Sequence, residues 1–355
     1  MAMPERSSII GWDIGGAHVK ACLLQGGEVL DVAQWACPLW QGMDRLDAVL
    51  QSAWQRWRAM AQARHAVTMT GEMVDLFPDR EQGVLAIAAR LARSLEGPLL
   101  FFAGDAGWRR EAELPAHWAD VASANWLATA QHAARVVGTG LLVDIGSTTT
   151  DLIGFAHGRV PTASRTDAQR LASGELVYQG VVRTPLCAVA RRIGFRGRPH
   201  NVMNEFFASS ADVYRLTGEL DPAHDLHPAA DNADKGADAT RQRLARMIGL
   251  DRRDAADTQW LAFAQAWRAA QLEVLGAELQ RVMAAHGLGH GTSIVSAGCG
   301  DFLVDALASG HRRLRYGQDV ARVAAEAAGG PAAVRAWAQV CAPSVAVASL
   351  LDMEP

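Results

Sequence analysis

Two aspartates in this chain end apolar runs and lead at once into glycine: Asp13-Ile14-Gly15-Gly16 and Asp144-Ile145-Gly146-Ser147-Thr148-Thr149. A carboxylate at the end of a buried run faces a cleft rather than a core. The glycine lets backbone approach an anion with no Cβ in the way, and the N–H groups and hydroxyls beyond it can ring that anion. Two such carboxylates facing one cleft would hold Mg²⁺ through water, and the turns Gly15-Gly16 and Gly146-Ser147-Thr148-Thr149 would take the phosphates that the ion bridges. A single copy reads as a hairpin cap. The pair, joined by a third glycine turn at Gly298-Cys299-Gly300, reads as a phosphate site with Asp13 and Asp144 as its metal ligands.

Other polar residues carry two readings each. Lys20 reaches a phosphate or stays a solvated edge residue, with equal weight, and His18 reads more readily as structural. Thr70-Gly71-Glu72 and Gly104-Asp105 each follow a strand and can present a carboxylate, although a plain turn is the simpler account. Glu175, Tyr178, Arg183 and Thr184 crowd one segment, where an arginine can pair with a carboxylate or phosphate on two fingers or form a surface ion pair. His224, His227, Asp231 and Asp234 are metal-ligand types without regular spacing and read as a solvated loop.

The elements that must position these residues follow from patterning. Residues 8–14, 18–24 and 29–36 read as three strands, with a hairpin signal at Gln25-Gly26-Gly27-Glu28. Apolar spacing predicts helices over 45–61, 81–95 and 120–137, with short strands at 66–70 and 99–102 between them. After Asp151 the pattern repeats: strands at 151–155 and 159–161, an exposed insertion at about 221–257 with a helix near 240–248, a long helix over 258–286, a strand at 293–297 and Ala-rich helix to the end. Two copies of strand, Asp-Gly turn and strand, each followed by alternating helix and strand, predict a duplicated α/β chain. The division falls at 1–138 and 139–355, with the late glycine turn at 297–302, and the cleft between the halves is the expected ligand site.

Composition narrows the classes. The 355 residues hold 50% apolar side chains and a net charge of −4 without a basic run, which argues for a soluble globular protein and against nucleic acid as a partner. Five scattered cysteines without Cys-x-x-Cys point to a reducing compartment. No apolar run approaches the ~20 residues of a membrane span, and no signal-peptide core follows Met1. The expectation is cytoplasmic, with no membrane partner; oligomeric state is not legible.

The three glycine turns resemble those of the acetate and sugar kinase/Hsp70/actin superfamily, which implies two RNase H-like domains. A closer resemblance runs through residues 12–20, 69–77, 123–126, 174–178, 183–185 and 243–247. These look like the hydantoinase A/oxoprolinase-like branch, and within it like the proteins linked to tetrahydromethanopterin-dependent one-carbon transfer and methanofuran synthesis. That resemblance implies a transferase that condenses a furan-methyl diphosphate with a tyramine-type phenol and releases diphosphate. Its partners would be those two small molecules, and its cofactor Mg²⁺. It implies Asp13 and Asp144 as metal ligands, with Gly15, Gly16, Gly146, Ser147, Thr148 and Thr149 on phosphates. Gly298 and Gly300 would form the nucleotide-side turn, Glu175 or Asp105 the phenol's base, and Arg183 and Lys20 the orienting cations. The rival expectations are an ATP-dependent kinase or hydrolase, with Cys299 and Phe302 lining an adenine pocket, and a non-catalytic nucleotide-binding partner.

Overall fold

The computed structural model describes residues 8–354, which divide into two compact units. One comprises residues up to 139 with 155–161 and 314–355, the other residues 140–154 and 162–313. The C-terminal stretch, expected in the second half, therefore belongs to the first unit.

That first unit opens with β1 (Ser8–Ile14), β2 (His18–Gln25) and β3 (Glu28–Ala36), an antiparallel meander. α1 (Asp44–Arg56), β4 (Arg64–Met69), α2 (Arg80–Ser94), β5 (Leu99–Phe102) and β6 (Trp108–Arg109) follow, then α3 (Leu114–Val121) and α4 (Asn125–Val137). The sheet order is β3-β2-β1-β4-β5-β6, with β4 parallel to β1 and β5 parallel to β4. Alternation along β1 decides which residue faces which layer. Ile10, Trp12 and Ile14 join Leu46, Val49, Val84, Ile87 and Leu91 of α1 and α2 in one core.

Three helix expectations shift at their ends or break. The helix of 45–61 stops at Arg56, because Trp57 turns inward to donate its indole N–H to Asp31 (2.7 Å), whose carboxylate also takes both Nε and Nη2 of Arg56. The helix expected over 120–137 is two helices. Ser123 adopts φ 50° between them, a left-handed conformation that no helix interior tolerates. The long helix ends at Ala285, just before Gly287.

The second unit contains β7 (Gly140–Ile145), β8 (Thr150–Phe155), α5 (Asp167–Ser173), β9 (Leu176–Val177), a separate hairpin of β10 (Arg192–Phe195) and β11 (Arg198–Asn201), α6 (Ser210–Thr217), α7 (Ala237–Arg246), α8 (Asp257–Ala285), β12 (Ser293–Ala297), α9 (Val304–Leu307) and β13 (Arg312–Arg315). Its sheet order is β13-β12-β7-β8-β9, with β12 parallel to β7. Read from the β9 edge, these five strands repeat the order of the first five of the other sheet, β3-β2-β1-β4-β5, to which β6 adds an antiparallel edge. Both units are RNase H-like α/β folds. The insertion is mostly exposed along the loop that precedes α7, as expected, while α7 itself packs inward. Leu244, Ala245 and Met247 enter the core with Trp260 and Phe263, and Arg243, fully buried, binds Asp212 at 2.7 Å and Asp231 at 3.0 Å. The aspartate placed in a solvated loop by sequence is the partner of a buried arginine.

The chain returns to the first unit at Leu314, within β13, and continues into α10 (Pro331–Val340) and α11 (Ala342–Asp352). No single helix among the described residues is long and apolar enough to cross a membrane. α10 and α11 pass that test only as a pair, and they bend by 101°. The apolar α11 lies on β1 instead: a Cβ on Gly11 would collide with the Ser344 carbonyl and sit 2.9 Å from the Ala348 Cβ. The buried Tyr316 adds a bond between its hydroxyl and His132 Nδ1 of α4 (2.7 Å). Gly11→Ala is therefore expected to lose about 1–3 kcal/mol of stability by overpacking, read from the urea midpoint of the purified protein. An unchanged midpoint would mean that α11 is not seated on the β1 backbone.

Candidate active site

In the first unit Asp13 sits one residue from the end of β1, paired in register with Lys20 of β2 and Thr68 of β4. It is 5% exposed. Burial pushes its carboxyl above the usual range, and Lys20 and a hydrogen bond from the Asn125 side chain oppose the shift. One carboxylate oxygen, Oδ1, is buried without a hydrogen-bond partner among the described residues. The turn beyond it is closed by the Gly15 N–H donating to the His18 carbonyl at 2.9 Å. A Cβ on Gly15 would stand 2.7 Å from that carbonyl, and one on Gly16 2.6 Å from Val74. Neither position admits a side chain without movement.

The second unit repeats the device. Asp144 lies at the end of β7, and the Gly146 N–H donates to the Thr149 carbonyl at 2.8 Å. The residues 180–183 run beneath the loop. A Cβ on Gly180 would lie 2.5 Å from backbone atoms of Gly146, Ser147 and Thr148. The N–H groups of Val181, Val182 and Arg183 bind the carbonyls of Gly146 and Ser147 at 2.9–3.0 Å. Those bonds occupy the carbonyls, which would repel an anion, and leave the hydroxyls of Ser147 and Thr148 as the polar groups of the turn. Ser147 Oγ is buried without a partner among the described residues, and the Arg183 guanidinium reaches Thr148 Oγ1 at 3.5 Å. Burial lowers the pKa of Arg183, and burial with the nearby charges of Arg183 and Lys235 brings His227 down to about 4.

The late glycine turn braces Asp144. Gly298 has φ 86°, and a Cβ there would sit 2.5 Å from Asp144 Oδ1. The Gly300 N–H donates to the Ile145 carbonyl at 2.8 Å. Phe302, which the kinase reading places beside an adenine, is partly buried and packs edge-on to Tyr214 with ring centroids 5.0 Å apart.

Glu175 and Asp105 lie in different units and in opposite settings. Glu175 is 3% exposed and takes His286 Nε2 at 3.1 Å and Ser173 Oγ at 2.9 Å. Its burial would raise the carboxyl, but hydrogen bonds from His286, Thr162, Ser173 and Ser164 outweigh it and bring the pKa to about 2. A carboxylate so well supplied with donors is a weak base. Asp105 is exposed and accepts from Gln131 Nε2 at 3.2 Å. The family resemblance includes Asn125, through 123–126, but assigns it no site role, and it assigns His286 none. Only the tertiary fold brings them to Asp13 and Glu175, and neither carries a local signal.

Mg²⁺ keeps several waters and needs only one or two carboxylates beside substrate phosphates. The unpartnered Asp13 oxygen and the Cβ-free turns fit that ion.

A hydantoinase/oxoprolinase family model matches residues 64–336, well over half of the chain, and the chain belongs to that family. It is 29% identical over 301 residues to the (4-{4-[2-(gamma-L-glutamylamino)ethyl]phenoxymethyl}furan-2-yl)methanamine synthase of Methanocaldococcus jannaschii, covering 84% of this chain and 88% of that one. The enzyme of the same name from Methanococcus vannielii is 30% identical over 193 residues, 51% of this chain and 84% of the other. Among solved structures, the ROK family glucokinase of Streptomyces griseus matches over 97% of this chain and 99% of its own, at 13% identity and a TM-score of 0.48.

The Glu175 cluster yields a stability prediction. Its folded pKa, about 2, lies below the ordinary 4.5, so its contribution is present above about pH 4.5 and is lost as pH falls toward 2. The depression corresponds to about 3 kcal/mol. Glu175→Gln is expected to lower the urea midpoint at pH 7 and to converge on wild type as pH falls through that window. A constant gap between the two proteins would refute the assignment.

Proposed function

We propose that this chain is a transferase that condenses a furan-methyl diphosphate with a tyramine-type phenol, forming an aryl furan-methyl ether and releasing diphosphate. The observation that carries this reading is the match to the M. jannaschii synthase, longer than either unit alone. The name of that protein describes a phenoxymethyl furan. The two Cβ-free turns, each beside an aspartate at a strand end, supply the chemistry such a bond needs.

In this reading Gly15, Gly16, Gly146, Ser147, Thr148 and Thr149 hold the diphosphate through N–H groups and hydroxyls. Asp13 and Asp144 are the carboxylates that hold Mg²⁺, and Gly298 and Gly300 keep Asp144 in place. Mg²⁺, when bound, neutralises the leaving group. Lys20 beside Asp13 and Arg183 beside Thr148 add fixed positive charge where negative charge grows on the departing diphosphate. The bond between the furan-methyl carbon and the diphosphate oxygen breaks with its electron pair leaving on oxygen. The furan ring delocalises the resulting positive charge, and the phenol oxygen attacks that carbon. The phenolic proton then passes to a carboxylate: Asp105 is exposed, whereas Glu175 has its oxygens taken up by histidine, threonine and serine donors.

Purified protein with Mg²⁺, a furan-methyl diphosphate and a tyramine-type phenol is expected to release pyrophosphate together with an ether product, and only when the phenol is present. Asp144→Asn should lower that rate by about 10²–10³-fold, the usual effect of losing one group that stabilises a transition-state charge. ADP and orthophosphate formed from ATP, with no ether, would return the protein to the kinase or hydrolase reading.

A further inference from the structure

We infer that Glu72 is a positioning residue for Asp13, acting through the Ser123 hydroxyl and the turn that delivers Asn125. The inference deepens the proposed function, since it rests on Asp13 as a ligand of the ion-holding site.

Glu72 follows β4 on a short turn tied to the first glycine loop. The Thr70 N–H donates to the Ile14 carbonyl at 3.0 Å, and a Cβ on Gly71 would lie 3.1 Å from the same carbonyl. The Glu72 side chain has no exposed surface. Its Oε1 takes the Ser123 hydroxyl at 2.9 Å and Arg80 Nη2 at 3.1 Å, and Arg80 Nη2 also reaches Ser123 Oγ at 2.6 Å. Its other oxygen, Oε2, is buried with no hydrogen-bond partner among the described residues. A buried carboxylate with one oxygen unmet is costly, and a group kept at that cost calls for an explanation.

The explanation lies in what the cluster holds. Ser123 is a serine at φ 50°, a conformation unfavourable for a residue with a Cβ. The three-way bond with Glu72 and Arg80 keeps it there. That turn breaks the chain between α3 and α4 and sets Asn125 at the first position of α4, from where its side chain comes close enough to Asp13 to oppose the upward pull of burial on that carboxyl. Glu72 itself cannot drift, because Gly83 of α2 approaches so closely that a Cβ there would stand 2.6 Å from the Glu72 carbonyl oxygen and 2.8 Å from its Cα. The chain of contacts therefore runs from α2 through Glu72 and Ser123 to Asn125, and ends on the carboxylate whose free oxygen faces no protein donor.

Two substitutions separate this role from ordinary packing. Ser123→Gly suits the left-handed backbone but lacks the hydroxyl. Glu72→Gln keeps the size and removes the charge. Crystal structures of both variants are expected to show the Asn125 amide withdrawn from Asp13. Binding of Mn²⁺ in the presence of inorganic pyrophosphate, followed by the spin-resonance signal of free Mn²⁺, should weaken about tenfold, as when an outer-shell partner of a metal ligand is lost. The double variant should bind no worse than either single one, because both changes cut the same chain. Ser123→Gly binding Mn²⁺ and pyrophosphate like wild type, with Asn125 still on Asp13, would overturn the inference. So would full additivity in the double variant. If Glu72→Gln fails to fold, Ser123→Gly alone carries the test. If the wild-type protein takes up no Mn²⁺ with pyrophosphate, the reading of Asp13 as an ion ligand falls, while the position of Asn125 in the variant structures still decides whether Glu72 sets it.

Discussion

One backbone hydrogen bond, made once in each unit, governs the rest of the architecture. Gly15 donates to the His18 carbonyl and Gly146 to the Thr149 carbonyl, at 2.9 and 2.8 Å, each two residues after the aspartate that ends its strand. The bond folds the first two strands of each sheet back on themselves within four residues, and it leaves the aspartate at the lip of the sheet. Everything placed near that lip must then approach backbone without side chains in the way. Gly71, Gly180, Gly298 and Gly300 all meet the turns at distances where a Cβ would have to displace something. Glycine at these positions is a packing requirement, whatever else the turns bind.

Each unit also carries polar networks with buried members. In the first, Asp31 gathers Arg56 and Trp57, and Glu72 gathers Arg80 and Ser123. In the second, Arg243 gathers Asp212 and Asp231, and Gln271 links the Tyr214 hydroxyl to the Gly180 carbonyl. Such clusters lend rigidity only when nearly every donor and acceptor is met. Among the buried polar atoms without a hydrogen-bond partner in the described residues, three lie on the residues discussed above: Asp13 Oδ1, Glu72 Oε2 and Ser147 Oγ. Two of the three belong to the Asp-Gly loops themselves, which is where a hard cation or a phosphate oxygen would complete the bonding. Glu175 shows the opposite arrangement, a carboxylate saturated by serine, threonine and histidine donors, and its chemistry is correspondingly quiet.

The family relationship sharpens the reading of the turns without replacing it. A hydantoinase/oxoprolinase match and two similar synthases concern sequence over most of the chain, whereas the solved-structure match at a TM-score of 0.48 describes likeness alone.

The duplication, the three glycine turns and most strands were legible in the sequence because they rest on local chemistry. An apolar run ending in Asp-x-Gly specifies strand and turn within a few residues, and β1, β7, β12 and the long α8 follow their patterns closely. What depended on distant parts of the chain was not legible. The last 42 residues, 314–355, pack with the first unit because α11 needs a sheet face with a glycine gap, and Gly11 supplies it. The break at Ser123 is invisible to periodicity, since 120–137 is apolar at helical spacing throughout and only Glu72 and Arg80, about 50 residues earlier, hold the left-handed turn. Arg243 is buried on the helix of the insertion and pairs with Asp231 of its exposed loop, a contact that no local pattern signals. Short-range sequence determined which groups stand at the strand ends. The tertiary structure decided which of them are buried, which are satisfied and which keep an oxygen free, because desolvation and hydrogen bonding depend on neighbours that the chain brings from far away.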